Sequence, residues 1–178
     1  MCIRDRGDTY TFESTKRFED PKRYTDVVTS LAGDQVIFNG GERAFDLLGN
    51  ETKAPHPRFL NPIQFYPVEY AVGNKWATQF GWVNGFGVND LCNIEFVIKK
   101  RELRNLDLGA FNAFFVEARG LVVSTNGVIE INYWIDPEKC YRPLEYFFQT
   151  KTRTGKIGEM ETITLKSYKE KRLNSLKT

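Results

Sequence analysis

The pair Asn126-Gly127 constrains this chain more than any other feature. It separates two runs rich in β-branched and aromatic residues, 114–123 and 128–135. Asn-Gly suits a type I′ turn, because both central positions need φ > 0. The stretch 108–148 therefore predicts a β-hairpin with a two-residue loop, and no helix between residues 114 and 135. That loop places Thr125 opposite Val128, Val122 opposite Ile131, Gly120 opposite Tyr133 and Ala118 opposite Ile135. Side chains alternate between faces along a strand. One face then carries Val116, Ala118, Gly120, Val122, Ile129, Ile131, Tyr133 and Ile135, and is core. The other carries Glu117, Arg119, Leu121, Val123, Glu130, Asn132 and Trp134, and is half wet. In this register Gly120 leaves room for the Tyr133 ring, and Arg119 can stack on Trp134. Trp134 reads either as a cover for the sheet or as a ligand-facing aromatic.

The rest of the chain reads as further strands beside this hairpin. Short runs alternate with Gly, Asn and Asp: strands at 9–17, 23–31, 35–39 and 42–48, with turns at Gly33-Asp34, Gly40-Gly41 and Gly49-Asn50. That spacing describes an antiparallel meander rather than βαβ units. Residues 53–67 break the pattern with Pro55, Pro57, Pro62 and Pro67. Proline lacks an N–H and resists central strands. This segment is expected to cross between two halves, 7–52 and 68–169, with Phe59, Leu60, Ile63, Phe65 and Tyr66 pinning it to the core. GNKWATQF at 73–80 echoes GDTYTF at 7–12. Further strands fall at 75–83, at 91–103 with Cys92, Ile94, Phe96 and Ile98 on one face, near 146–151, and at 159–168. No stretch shows a convincing 3.6-residue period, so helix should be scarce. The fold expected is all-β: a twisted antiparallel meander sheet curled into an open barrel or clam, with a two-sheet β-sandwich as the alternative.

A chain of 178 residues can bury a core without staples. Its 25 basic and 23 acidic residues are interspersed. A nucleic-acid footprint needs clustered positive charge, so no nucleic-acid partner is expected. No apolar run approaches the roughly 18 residues of a membrane-spanning helix. Met1 to Asp5 resembles a translated sequencing adaptor, so residues 1–6 read as a non-native scar. The one β domain would then span 7–169, with a charged tail at 170–178. Setting Cys2 aside leaves Cys92 and Cys140. They are expected to be separated along the sheet and to remain free thiols, Cys92 in the core and Cys140 in a loop.

VGNKW (72–76), LGAFNAFFVEARG (108–120) and INYWIDPEKCYRPLEYFF (131–148) resemble motifs of exported bacterial β-rich proteins, the group known as domain of unknown function 3108 and its relatives. Leu108-Gly109-Ala110-Phe111 stands for the group's turn into a strand, and Tyr133-Trp134-Ile135-Asp136-Pro137 for its Tyr-Trp-Tyr-x-Pro. Ala110 and Ile135 depart from that pattern. Gly7-Asp8-Thr9-Tyr10, Gly33-Asp34, Gly40-Gly41 and the run from Asp46 to Asn50 resemble a variant of the same group. These motifs specify turns and packing, not chemistry. The resemblance implies a periplasmic or envelope location, with a signal sequence upstream, and no known activity.

Chemistry-bearing motifs are few. His56, the one histidine, lies between two prolines and reads as solvated. No G-x-S-x-G, P-loop or zinc-ligand spacing occurs. No cofactor and no metal site is expected. Glu95, Glu117 and Glu130 lie on strands, and a curled sheet could pair two of them. The aromatic set Trp76, Phe80, Trp82, Phe86, Tyr133 and Trp134 reads as core and sheet cover, or as a groove for an apolar ligand. The candidate ligand-binding residues are Trp82, Phe86, Arg119 and Trp134. The function expected is a non-catalytic envelope domain that binds a partner protein or an apolar ligand. A lipocalin-like carrier and a carboxylate hydrolase are the alternatives. An internal apolar cavity favours the carrier; carboxylates converging in a cleft favour the hydrolase.

Overall fold

The computed structural model describes residues 6–60, 62–84 and 87–169. The adaptor-like residues 1–5, the tail 170–178 and Phe86 lie outside the described residues. Twelve strands follow one another: β1 Thr9–Lys16, β2 Lys22–Ala32, β3 Gln35–Phe38, β4 Arg43–Asp46, β5 Glu51–Lys53, β6 Phe59–Leu60, β7 Lys75–Val83, β8 Asn89–Leu106, β9 Gly109–Val122, β10 Gly127–Ile135, β11 Glu145–Lys151 and β12 Ile157–Lys169. Among the described residues the one helical piece is a 3-10 turn, Asn39–Gly41. All strands belong to one antiparallel sheet in the order β5-β4-β3-β2-β1-β12-β11-β10-β9-β8-β7-β6. It is two meanders joined where β1 pairs β12, from Thr9 opposite Lys169 to Lys16 opposite Glu161.

The order forces curvature. Twelve strands at about 4.8 Å spacing would put the outer strands roughly 50 Å apart in a flat sheet. Yet β5 and β6 are consecutive in the chain, and the link from Lys53 to Phe59 reaches at most about 20 Å. The sheet must curl until its two edges nearly meet. β5 and β6 do not pair with each other, so it stays open. The open, curled all-β sheet is the architecture, and the sandwich alternative falls away.

The central hairpin forms, but in a different register. Val122 pairs with Gly127 around the four-residue loop 123–126, so Ile131 faces Ala118, Tyr133 faces Val116, and Gly120 faces Ile129. Ser124 explains the wider loop. Its N–H and hydroxyl bond the Asp90 carboxylate on β8, while Thr125 Oγ1 accepts from Gly127 N at 3.2 Å. Asn126 takes φ 52° as expected, whereas Gly127 does not have a positive φ. Gly127 is required for another reason: a Cβ there would lie 2.9 Å from the Lys151 carbonyl oxygen on β11. The shift equals four residues, an even number, so every side chain keeps its face. Val116, Ala118, Val122, Ile129, Ile131, Tyr133 and Ile135 are all buried. Gly120 makes room for β8 rather than for Tyr133, since a Cβ would sit 2.0 Å from Asn93 O. Arg119 faces Glu130, and the guanidinium over Trp134 belongs to Arg104, 4.4 Å from the ring.

The 7–12 and 73–80 echo has a structural counterpart. Gly7 (φ 103°) donates to Val28 O while Val28 N donates to Asp8 O; Gly73 (φ 90°) donates to Ile98 O while Ile98 N donates to Asn74 O. Both strands thus start on the same pair of backbone bonds. The core divides in two. The first cluster holds Phe80, Phe96, Val116, Ile131, Tyr133 and Phe148, and the second holds Phe12, Val36, Phe38, Phe45, Leu144 and Leu165. A bulge between Ile98 and Lys100 lets the long β8–β9 hairpin serve both: Ile98 and Val116 face the first cluster, Phe111 and Ala113 the second. Cys92 lies in the first and Cys140 in the second, both free thiols. Cys140 lies in the loop between β10 and β11, as expected, and is buried there, where the Asp136 carbonyl accepts its N–H at 2.7 Å.

Candidate functional site

Of the residues singled out from the sequence, Trp82, Arg119 and Trp134 do not converge, and Phe86 lies outside the described residues. Trp82 is buried in the first cluster, against β6. Arg119 projects from the opposite face of the sheet, exposed, 4.0 Å from Glu130. Trp134 is half-buried on that same face, covered by Lys100 and Arg104 and packed on Phe115. Glu95, Glu117 and Glu130 share the wet face, where Arg119 is paired with both Glu95 and Glu130. Among the described residues no group of three His, Cys, Asp or Glu is placed to hold a metal.

The most apolar concave site lies elsewhere. A cavity of about 430 Å³ sits between the N-terminal strands, the start of β11, β12 and the proline-rich strap at 54–66. One wall is the strap, held from both sides. Asn50 Oδ1 accepts Phe65 N at 2.7 Å and Tyr66 N at 3.1 Å, and Tyr133 Oη donates to Phe65 O at 2.7 Å. Asn50 is in turn fixed by Asp46, whose Oδ1 accepts the N–H groups of Leu48, Gly49 and Asn50 at 2.8–2.9 Å. The Asp46-to-Asn50 motif is therefore the clasp of the strap. Proline suits the strap because its exposed turns have no ladder to join.

The walls combine apolar and charged groups. Phe12, Phe45, Phe59 and Ile163 contribute apolar surface. Asp26, 1% exposed, binds Arg43 Nη1 through both oxygens at 3.0 and 3.2 Å, and Arg43 also grips Glu51. Arg142, from the loop before β11, stacks over Phe45 at 4.1 Å, with its guanidinium 3.8 Å from Asp26. Across the cavity Arg58 donates to Glu161 at 2.6 Å, and Ser14 Oγ donates to the other Glu161 oxygen at 2.6 Å. Two polar atoms of these residues, Arg142 Nε and Tyr146 Oη, are buried out of reach of solvent and make no hydrogen bond. Burial holds the Tyr146 phenol far above its ordinary range and pushes Tyr66 up to about 12.

Sequence reasoning missed these residues, but a signal existed. Asp26 alternates with Tyr24 and Val28, and Glu161 with Ile163 and Leu165, so both carboxylates sit at core-facing positions of their strands. A charge in register with inward apolar residues must find a buried partner. The partners, Arg43, Arg58 and Arg142, come from three separate segments and carry no motif.

Comparison with known proteins gives limited company. No protein-family model matches the chain, so the 3108-like group is not confirmed, and no curated protein matches either. Among solved structures, the hypothetical lipoprotein YmcC from Escherichia coli (K12) superposes with a TM-score of 0.49 at 12% identity, covering 88% of this chain and 82% of its own. A candidate lipoprotein from Parabacteroides distasonis ATCC 8503 gives 0.46 at 7% identity, covering 93% and 96%. Neither likeness bears on the chemistry of the site.

Proposed function

We propose that this is a non-catalytic cell-envelope β domain that holds an apolar ligand in the cavity under the strap, as a lipocalin-like carrier would. The carrying observation is the cavity itself. At about 430 Å³ it falls within the roughly 300–1,000 Å³ of small-molecule sites, and aromatic and aliphatic side chains dominate its lining. The carboxylates that face it, Glu51 and Glu161, are each bound to an arginine, an arrangement that suits holding rather than proton transfer. The envelope setting rests on the motif resemblance. The strap, tied at Asn50 and Tyr133, supplies one wall.

Fluorescence titration with 1-anilinonaphthalene-8-sulfonate tests the reading. Saturable binding at one site is expected for the wild type, with loss in Ala54→Trp, which fills the mouth from the strap without touching either core cluster. Absence of saturable binding to the wild type, or unchanged binding in the variant, overturns it.

A further inference from the structure

We propose that two neighbouring hairpin tips, residues 16–22 and 152–156, dock on an anionic phospholipid surface. The Phe18 ring enters the headgroup layer, and the cations beside it meet the lipid phosphates. The proposal goes beyond the cavity reading and does not depend on it.

Phe18 is the first observation. It sits in the turn between β1 and β2, 91% exposed, with φ 64°. Positive φ is a genuine outlier for a bulky side chain and costs conformational energy. No burial within this chain offsets that cost. The Arg17 guanidinium lies 4.5 Å from the ring centroid, and the ring packs into neither core cluster. A strained turn that holds an aromatic ring in water asks for a cover from outside the chain.

Charge is the second observation. β1 pairs with β12, Arg17 N donates to Met160 O, and Arg17 Nη1 donates to Ile157 O at 2.8 Å. The β1–β2 and β11–β12 tips therefore stand side by side. Of the acids nearby, Glu19 is paired with Lys22 at 2.9 Å and Glu159 lies 3.8 Å from Arg58. Asp20 alone is left against Lys16, Arg17, Arg153 and Lys156, so the joined tips are net positive. Phe18 also lines a groove whose far side includes Asn84. Asn84 N donates to Val88 O, and its Oδ1 accepts Val88 N, both at 3.0 Å. Val88, 55% exposed, is thus a second apolar residue at this end of the open sheet.

A bilayer fits this surface better than a folded protein. Stable protein interfaces bury about 800 Å² per partner around a packed apolar centre. Here one ring projects from a convex tip with cations around it. A fluid headgroup layer closes around such a tip, takes aromatic rings at its interface and attracts each nearby Lys or Arg when it is anionic.

Co-sedimentation of the full chain with vesicles tests this, comparing phosphatidylcholine alone with phosphatidylcholine containing one part in four phosphatidylglycerol. Binding to the anionic vesicles is expected to be about ten-fold or more tighter, and to fall at high salt. The double variant Arg153→Glu/Lys156→Glu should lower it by about ten-fold or more. Phe18→Ser should lower it several-fold, since less apolar surface leaves water. Phe18→Trp should keep binding and add emission that shifts to shorter wavelength with anionic vesicles. These substitutions lie on exposed turns outside both cores, so the fold survives them. Absence of binding to anionic vesicles overturns the proposal. Binding undiminished in Phe18→Ser, with no emission shift in Phe18→Trp, overturns it as well. Phe18-dependent binding of soluble polyglutamate without vesicle binding would assign the tips to an acidic protein and also overturns it. Each of these outcomes leaves the cavity reading standing.

Discussion

Strands β7–β10 bury Phe80, Phe96, Ile98, Val116 and Ile131, and no charged side chain among the described residues. Strands β1–β5, built from the same kind of short alternating runs and opened by the same Gly-Asp/Asn backbone pairing, bury Asp26 beside Arg43 of β4 and Arg142 of the loop before β11. The difference teaches where stability and specificity reside. Apolar burial stabilises the long-strand half at about 25 cal/mol per Å². Buried ion pairs in the short-strand half regain little beyond their desolvation cost, and their best-attested use is specificity. The cavity lies against the half that carries the ions.

Several experiments can break or sharpen this contrast. The largest effect is expected from Asp26→Ala, which leaves the buried Arg142 guanidinium without a carboxylate and Arg43 with Glu51 alone, and should cost about 3–5 kcal/mol in urea unfolding. Each core cluster holds one buried thiol, so in a Cys2→Ser background the variant should speed labelling of Cys140 and leave Cys92 slow. Equal acceleration at both thiols would mean the halves open as one unit. Ile131→Ala should cost about 2–5 kcal/mol, depending on how far the site collapses. Here the labelling should reverse, with Cys92 the faster.

A third comparison uses pH. Burial raises Tyr66, Tyr70, Tyr133 and Tyr146 in the strap and first cluster, and Tyr24 at the cavity wall. Tyr66 moves from 10 to about 12, so folding favours its neutral form. That contribution is fully present below pH 10 and is lost as pH rises from 10 towards 12. Two pH units correspond to about 3 kcal/mol. Tyr66→Phe should flatten this part of the stability profile; an unchanged alkaline slope would show that the strap is not tied to the fold. The smallest effect expected is from Gly127→Val, roughly 1–3 kcal/mol, because the new Cβ meets the Lys151 carbonyl at 2.9 Å. Gly127→Ala carries the same Cβ and should already destabilise. Steric contact makes the valine worse.

The sequence alone determined the fold class and the faces. Alternation along residues 114–135 assigned the buried side chains, and a register error of four left them unchanged because the pleat repeats every two residues. Turn residues and prolines marked most strand ends. The free state of Cys92 and Cys140 followed from their separation along the sheet. What the tertiary structure decided is long-range. The Asp90 contact with Ser124 selected the hairpin loop, overriding the Asn-Gly preference with a bond to a third strand. Pairing of β1 with β12 joined residues as far apart as Thr9 and Lys169, and this set the strand order that curls the sheet. That curl assembled Arg43, Arg58, Arg142, Tyr146 and Glu161 around one cavity, with Asp26 behind Arg43 and Arg142. No local pattern encodes that meeting. Each residue obeys only its own strand's alternation, and ion pairs and unmet donors come into being only where distant segments exclude water together.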